Sequence, residues 1–242
     1  MLTLRADPPV GGPAALRETA DREADRCAQG LLARFAPGDV VLSEEAPEDP
    51  RRHESDRVWI VDPLDGTREF GETGRTDWAV HIALWARDGS GVATPERGGD
   101  LVAGAVALPA AVRVLDSATT PRAAAGPVRR SPVVVASRSR TPAAARLLAA
   151  HLGSELLLLG SVGAKVAAVV TGRADAYLET GGLHEWDSAA PAALARAAGL
   201  SVLAPDGSRP AWNRPSTWQA GLIVCRAELV PAALRAVRDA AG

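Results

Sequence analysis

A buried strand that runs directly into two acidic residues is the feature of this sequence that most restricts its fold. Residues 58–61 (VWIV) are apolar and of strand length, and residues 62–67 (DPLDGT) follow at once. Pro63 is expected to end the strand, and Pro63 with Gly66 favours a sharp turn. Such a turn can direct two carboxylates, a backbone carbonyl and the Thr67 hydroxyl at one point, as Mg²⁺ requires. An acid-rich surface turn is an equally good interpretation of this segment alone.

Two further acidic motifs lie elsewhere in the chain. Ser43-Glu44-Glu45 follows a short apolar run at residues 40–42, and Trp186-Asp187 stands where a helical pattern begins. A Glu pair is usually a solvated loop, and an Asp at a helix start is usually a cap. Neither motif indicates a site when it is taken alone.

The remaining pattern predicts a mixed α/β protein in two parts. An N-terminal part, residues 1–130, is rich in strands and contains most of the acidic motifs, and residues 131–242 alternate strand and helix. Residues 116–131 lack apolar periodicity and are the best candidate for the boundary. Thr19 is expected to cap the first helix, and Asp187 a later one. The predicted helices are 20–35, 142–152, 161–171, 187–199 and 228–240. The predicted strands are 40–42, 58–61, 78–85, 101–108, 112–115, 133–135, 156–159, 176–178 and 222–224.

Composition excludes several classes of protein. The 242 residues are 47% hydrophobic, enough for one large core or two packed subdomains, and a net charge of −2 does not suggest a nucleic-acid surface. The N-terminus lacks the apolar core of a signal peptide, and no apolar run reaches the roughly 20 residues of a membrane helix. The two cysteines fit a reducing compartment. We therefore expect a cytoplasmic protein without a membrane or nucleic-acid partner.

Taken together, the three motifs resemble those of the inositol monophosphatase-like superfamily of lithium-sensitive phosphatases. That superfamily has a Glu-Glu pair, then Asp-Pro-(Ile/Leu)-Asp-Gly-Thr, then Trp-Asp about 120 residues later. Here Asp187 lies 122 residues after Asp65, and the resemblance extends from about Thr19 to the C-terminus. It implies an α/β (α+β) fold, the layered α-β-α-β-α sandwich of the inositol monophosphatase / fructose-1,6-bisphosphatase type. A large antiparallel sheet would lie in the first part, and the site would lie between the two parts.

The resemblance also assigns a metal site. Glu44, Asp62, the Leu64 carbonyl and Thr67 would hold one Mg²⁺, and Asp62, Asp65 and Asp187 would hold a second. The resemblance implies two or three Mg²⁺ per site. The segment at residues 7–12 departs from the family's loop on the metal side, where a third ion would bind. Members of the family usually have one more helix before the segment that corresponds to Leu4.

The element Thr19-Ala20-Asp21 is similar to one that the family uses to activate water. Asp21 and Thr67 would therefore be the catalytic pair, and the backbone N–H groups of Gly66 and Thr67 would bind the phosphate. An Asp in the first turn of a helix is also favoured by the helix dipole alone.

Other segments resemble the 3′(2′),5′-bisphosphate nucleotidase branch of this family, in its actinobacterial form. They are Arg68-Glu69-Phe70, residues 75–85, Ser137-Arg138-Ser139 and Lys165 on the helix that opens at Gly160-Ser161. A second phosphate would need further cations, which Arg138 and Lys165 could supply, although each could equally be a solvated surface residue. The implied substrate-binding residues are Glu44, Leu64, Asp65, Gly66, Thr67, Arg68, Arg138, Ser161, Lys165 and Asp187.

The expected function is therefore hydrolysis of a small phosphate ester. The leading substrate is 3′-phosphoadenosine 5′-phosphate, a by-product of sulfate assimilation, which would give AMP and phosphate. Inositol-1-monophosphatase or fructose-1,6-bisphosphatase activity from the same site is the alternative. A protein that binds phosphorylated ligands without turnover is an alternative of another class. Family analogy also implies a homodimer.

Overall fold

A computed structural model describes residues 1–87, 98–120 and 131–242 of the chain. Its helices are α1 (Leu2–Ala6), α2 (Gly12–Phe35), α3 (Thr67–Gly71), α4 (Ala143–Leu152), α5 (Val162–Val170), α6 (Glu185–Ala197) and α7 (Val230–Ala241). Its strands are β1 (Val40–Ser43), β2 (Arg57–Asp65), β3 (Ala79–Arg87), β4 (Gly99–Leu108), β5 (Arg113–Asp116), β6 (Val133–Ser137), β7 (Glu155–Leu159), β8 (Ala176–Glu179), β9 (Leu183–His184), β10 (Ser201–Leu203), β11 (Trp218–Gln219) and β12 (Leu222–Cys225).

The strands form two five-stranded sheets and one short pair. The first sheet has the order β1-β2-β3-β4-β5, and the second has the order β10-β12-β8-β6-β7. The first sheet is antiparallel from β2 to β5, as predicted, but β1 pairs with β2 in parallel. That parallel pairing brings the C-terminal ends of β1 and β2 to the same edge of the sheet. The short pair joins β9 and β11.

These elements stack in five layers. Helix α2 covers the outer face of the first sheet, α5 and α6 lie between the two sheets, and α4 and α7 cover the outer face of the second. This arrangement is the predicted α-β-α-β-α sandwich. Every residue of α5 is buried, because both faces of this helix meet a sheet.

Successive side chains of β3 lie on opposite faces of the first sheet, so this strand packs against two different helical layers. Ala83 and Trp85 are buried in the main core that includes α5 and α6, whereas Ile82 packs against Ala28 and Leu32 of α2. His81 belongs to the same face of β3 as Ala83 and is completely buried. One polar side chain therefore reaches the interior from a strand whose pattern is otherwise apolar.

Two predicted caps were wrong. Helix α2 begins at Gly12, with Gly11 as its N-cap and a proline in its first turn, so Thr19 lies inside the helix. Helix α6 has His184 as its N-cap, and Asp187 occupies the third helical position.

The predicted boundary near residue 130 falls largely on residues 121–130, which lie outside the described residues. Residues 88–97, which follow β3, also lie outside them. The division at 130 and 131 stays a prediction. Among the described residues, no helix combines the length and the apolar character needed to cross a bilayer.

Candidate active site

The turn after the apolar core of β2 differs from the prediction in a way that shapes the site. Pro63 does not end the strand, since β2 continues to Asp65 through an irregularity in its pairing with β3. Asp62 pairs with His81 and Asp65 with Ala79, so two residues of β2 oppose one residue of β3. A bulge is one of the few places where a sheet tolerates proline. The bulge turns the chain so that the carboxylates of Asp62 and Asp65 lie close together.

Gly66 ends this bulge in the left-handed region of the backbone, with φ of 88°. A Cβ atom there would lie 3.1 Å from the Cβ of Ser161 and 3.3 Å from the backbone of Trp78. Both the conformation and the space therefore favour glycine. Helix α3 starts at the next residue, Thr67.

Three of the predicted metal ligands lie together. Carboxylate oxygens of Asp62, Asp65 and Asp187 all fall within 4.8 Å of one another. Asp187 is fixed at the start of α6, where its carboxylate accepts a hydrogen bond of 2.6 Å from the His184 backbone N–H. Residues of β2 and α6, far apart in sequence, thus build a single acidic cluster.

Glu44, which follows β1, lies outside this group of three but interacts electrostatically with Asp65 and Asp187. Parallel pairing sets Ser43 beside Val61, and the Glu44 backbone N–H donates to the Val61 carbonyl at 3.3 Å. Burial, followed by the charges of Asp187, Glu45, Asp65 and Asp21, raises the pKa of Glu44 to about 7. The side chain is therefore close enough to the other carboxylates to repel them.

The cluster fits a hard divalent cation. Burial and the charges of Asp65, Glu44 and Asp187 raise the pKa of Asp62 well above its ordinary value. One oxygen of Asp62, Oδ2, is buried and has no hydrogen-bond partner among the described residues. A buried, unpaired carboxylate oxygen among like charges is costly unless a cation meets it. Oxygen ligands of this kind suit Mg²⁺, and the Leu64 carbonyl is a neutral oxygen donor beside them.

Asp65 is held by three groups that act on one oxygen. Its Oδ2 accepts hydrogen bonds from the Ser161 hydroxyl at 2.5 Å and from the Gly163 backbone N–H at 2.7 Å. The Nε2 atom of His81 lies 3.1 Å from the same oxygen. Burial alone would raise the pKa of Asp65, but His81 and Ser161 outweigh it and bring the pKa below its ordinary value. The surroundings of Asp65 thus favour its ionised form even without a metal.

Sequence reasoning missed His81 as a part of this site. Its Nδ1 lies 3.3 Å from the Trp186 carbonyl and 3.9 Å from Oδ2 of Asp62, so the ring lies between two metal ligands and the start of α6. A lone histidine in an alternating strand carries no signal of its own. Only the register of β2 against β3 places it opposite Asp62.

The two predicted catalytic residues, Asp21 and Thr67, lie near each other. The Thr67 hydroxyl donates a hydrogen bond of 3.0 Å to the Leu64 carbonyl. Burial and the charge of Glu45 raise the pKa of Asp21 to about 6. Asp21 lies inside α2 and not in its first turn, so the dipole of α2 is not the reason for this position.

The predicted substrate cations have different environments. Arg138 pairs with Glu69 at 2.9 Å and with Glu72 at 2.6 Å, so its charge is already compensated. Arg68 is exposed on α3. Lys165 is not a solvated surface residue, because it is 4% exposed and its ammonium lies 5.5 Å from the centre of the Tyr177 ring.

A cavity of about 390 Å³ adjoins the acidic cluster. Its wall includes Asp65, Asp187, Ser161 and Lys165 from the predicted set. It also includes residues that sequence reasoning did not select, namely Glu69, Arg140, Glu179, Gly182, His184 and Trp218. A volume of this size is typical of a site for a small molecule.

Comparisons with known proteins agree with this geometry. Residues 10–241 match the inositol monophosphatase family. The chain is 44% identical over 243 residues to a protein of Mycobacterium tuberculosis named 3′-phosphoadenosine 5′-phosphate phosphatase, covering 99% of this chain and 88% of that protein. It is 34% identical to inositol-1-monophosphatase SuhB of the same species, covering 86% of this chain and 72% of that protein. A solved structure of inositol monophosphatase from Anabaena aligns with a TM-score of 0.74 and 20% identity, covering 92% of this chain and 87% of that one.

Proposed function

This chain belongs to the inositol monophosphatase family, a family of metal-dependent phosphatases, and from that membership we propose that it removes the 3′-phosphate of 3′-phosphoadenosine 5′-phosphate. The products would be AMP and inorganic phosphate. The observation that carries the choice of substrate is the similarity, over almost the whole chain, to the mycobacterial protein named for that reaction. The acidic cluster beside the cavity supplies a site where a phosphate ester can react.

Mg²⁺ is the proposed metal, held by Glu44, Asp62, Asp65, Asp187 and the Leu64 carbonyl. When bound, it would offset the charge of the ester, favour ionisation of water near neutral pH and stabilise the leaving oxygen. Asp62 interacts electrostatically with Asp65, Glu44 and Asp187, and this position among the other carboxylates supports its role as the ligand common to two ions. His81 and Ser161 would act by holding Asp65 in the orientation that the metal needs.

Asp21 and Thr67 would prepare the attacking water. The Thr67 hydroxyl can accept a hydrogen bond from the water while it donates its own proton to Asp21 or to the Leu64 carbonyl. A carboxylate with a pKa of about 6 is largely ionised at neutral pH and still basic enough to accept a proton. Attack in line with the ester bond would form the new P–O bond while a proton of the water passes through the Thr67 hydroxyl to Asp21, and the released 3′-oxygen would take a proton from solvent water to become the ribose hydroxyl.

Phosphate binding would divide between the segment that follows β2 and the wall of the cavity. The backbone N–H groups of Gly66 and Thr67 would hold the reacting phosphate beside the metals. Arg140 is exposed at the cavity wall, and Lys165 lies deeper in the same wall. We infer that Arg140 meets the second phosphate, since the charge of Arg138 is committed to Glu69 and Glu72.

Phosphate release by the purified chain with Mg²⁺ tests the proposal. The substrates would be 3′-phosphoadenosine 5′-phosphate, inositol 1-phosphate and fructose 1,6-bisphosphate, and the Asp62→Asn variant, prepared in parallel, would reveal any contaminating phosphatase. We expect kcat/KM for the nucleotide to exceed the others by at least about tenfold. Preference for inositol 1-phosphate would favour the alternative that the SuhB relative suggests. Binding of the nucleotide without phosphate release would favour a non-catalytic protein.

A further inference from the structure

A half-exposed tryptophan forms part of the cavity wall. Trp218 begins β11 and pairs with His184 of β9, at the start of the helix that carries Asp187. Its residue exposure is 53%, although it lies beside the cavity that contains Asp65 and Asp187. A large apolar ring left open at a polar cavity is a surface on which a ligand can pack.

Neighbouring rings hold this indole in place. The His184 ring meets the Trp218 ring edge to face, with centroids 5.3 Å apart and planes at 78°. His184 is itself stacked on Trp186, with centroids 4.6 Å apart and planes at 5°, and its Nδ1 lies 3.1 Å from the Thr217 hydroxyl. An aromatic ring fixed in this way loses little freedom when a ligand binds to it.

The backbone that faces the indole leaves room for the ring because a glycine stands there. Gly182 precedes β9 with φ of 91°, and a Cβ atom there would lie 1.9 Å from Cζ2 and 2.1 Å from Cη2 of Trp218. No side chain fits between this backbone and the ring. The position of the indole at the cavity wall therefore depends on a glycine as well as on the rings behind it.

We propose that Trp218 is a specificity-determining residue whose indole stacks with the nucleobase of the substrate; this inference rests on the proposed nucleotidase function. Two carboxylates of the acidic cluster, Asp65 and Asp187, line the cavity on the side where the reacting phosphate would lie, and Trp218 adds a planar apolar surface to the same cavity. A nucleotide has the same two parts, a phosphorylated sugar and a planar base. A phosphorylated polyol has only the first, so it gains less from the indole.

Kinetics on substrates with and without a base test this inference. Trp218→Ala and Trp218→Phe would be compared with wild type on 3′-phosphoadenosine 5′-phosphate and on ribose 3,5-bisphosphate, which has the same phosphates and no base. We expect Trp218→Ala to lower kcat/KM for the nucleotide roughly ten- to a hundredfold, mainly through KM, because stacking contributes equally before and during the reaction. The base-free substrate should change less than about twofold, and Trp218→Phe should keep most of the activity on the nucleotide.

Quenching of tryptophan fluorescence by AMP gives a second readout that does not need turnover. The wild-type signal should fall on titration with AMP, and most of that fall should be lost in Trp218→Phe. Trp59→Phe is the matched control, since Trp59 lies on the other face of the first sheet and donates to Asp39. That variant should retain the quenching.

Two results would overturn the inference. Equal losses on the nucleotide and on ribose bisphosphate in Trp218→Ala would assign Trp218 a purely structural role. Unchanged kinetics in Trp218→Ala, together with retained quenching in Trp218→Phe, would remove the contact with the base. Failure of the proposed function itself would look different. In that case wild-type enzyme would release no phosphate from the nucleotide, while AMP quenching could still report on Trp218.

Discussion

The guanidinium of Arg138 lies 2.9 Å from the carboxylate of Glu69, a side chain of α3 that is almost completely buried. Arg138 follows β6 in the second sheet, whereas Glu69 stands two residues after Thr67. The ion pair therefore joins the segment that carries the proposed catalytic threonine to the other half of the molecule. Removal of one partner leaves the buried carboxylate without compensation, which usually costs more than the pair contributes.

Arg138 and Arg140 are consequently expected to respond differently to truncation. Arg138→Ala should lower the melting temperature and reduce kcat/KM on all phosphate substrates by similar factors. Arg140→Ala should leave the melting temperature within about 1 °C and lower kcat/KM roughly tenfold or more on the bisphosphorylated nucleotide only, because a charge-assisted contact with the second phosphate is lost. Thermal unfolding and steady-state kinetics on the nucleotide and on inositol 1-phosphate would separate the two. A loss confined to the nucleotide in Arg138→Ala would contradict this division of roles.

Asp62→Asn is expected to abolish turnover while the fold is kept. The proposed common ligand loses its charge, so metal binding should weaken and activity should fall at least about a thousandfold. Without metal, the variant should unfold at the same or a higher temperature than wild type, since one of several repelling buried carboxylates is removed. Phosphate release and thermal unfolding in a chelator measure the two effects. Turnover above about a tenth of wild type would count against the metal assignment.

The stability of the metal-free protein should fall as pH rises. Glu44 and Asp187 have ordinary pKa values of 4.5 and 3.8, and in the folded chain these become about 7 and about 6. The folded state therefore binds more protons than the unfolded state in this interval, and stability present below about pH 4 is lost as pH rises towards 7. We expect the melting temperature in a chelator to fall by an amount of the order of 5 °C between pH 5 and 7.5.

Saturating Mg²⁺ should reverse most of that fall, because the ion binds the ionised carboxylates and so stabilises the folded state more at higher pH. Burial also raises the pKa of Glu185 to about 7, so Glu185 adds to the fall of the melting temperature with rising pH in the metal-free protein. Asp62→Asn should show a smaller effect of Mg²⁺ at pH 7.5. A melting temperature that rises with pH in the chelator would show that the carboxylates do not repel one another in this way.

Replacement of Lys165 by methionine should strengthen metal binding and weaken substrate binding. The ammonium interacts with Asp65, Glu179, Glu69 and Asp187, so its removal leaves the carboxylate cluster more negative. We expect the apparent affinity for Mg²⁺ to rise about three- to tenfold, and kcat/KM for every phosphate ester to fall. Titration calorimetry with Mg²⁺ and steady-state kinetics provide the measurements. Lys165→Arg, which keeps the charge, is the control, and an unchanged affinity in both variants would place the ammonium outside the field of the metals.

The carboxylates of the site were predicted from the resemblance of three motifs, taken together, to those of the family, because an Asp-rich turn, a Glu pair or an Asp at a helix start does not indicate a site when taken alone. Glu44 and Asp62 stand at the ends of two apolar runs in the sequence. The parallel pairing of β1 with β2 brings those two ends to the same edge of the sheet. The order of the layers was likewise implied by the resemblance, since the apolar pattern alone predicts only a mixed α/β protein in two parts. The bulge at Pro63 was not predictable in this way, because proline after an apolar run ordinarily ends a strand.

Residues that act through position alone were beyond the reach of the sequence. His81 matters because the register of β2 and β3 sets it opposite Asp62. Lys165 was predicted to meet a phosphate, with a solvated surface position as the alternative, but its burial was not predicted, because it follows from the position of α5 between two sheets. Trp218 reaches the cavity only through the short pairing of β9 with β11, two-residue strands that carry no periodic signal.

The burial of Lys165 has a consequence for covalent modification of this protein. Lys165 is the only lysine in the 242 residues, so it carries the only side-chain ε-amine of the chain. Enzymes and reagents that acylate an ε-amine, or join another protein to it through an isopeptide bond, need that nitrogen exposed to solvent. The folded chain presents none, so such attachment requires unfolding or entry through the cavity beside Asp65. Labelling of a single ε-amine would therefore report directly on the opening of this cavity.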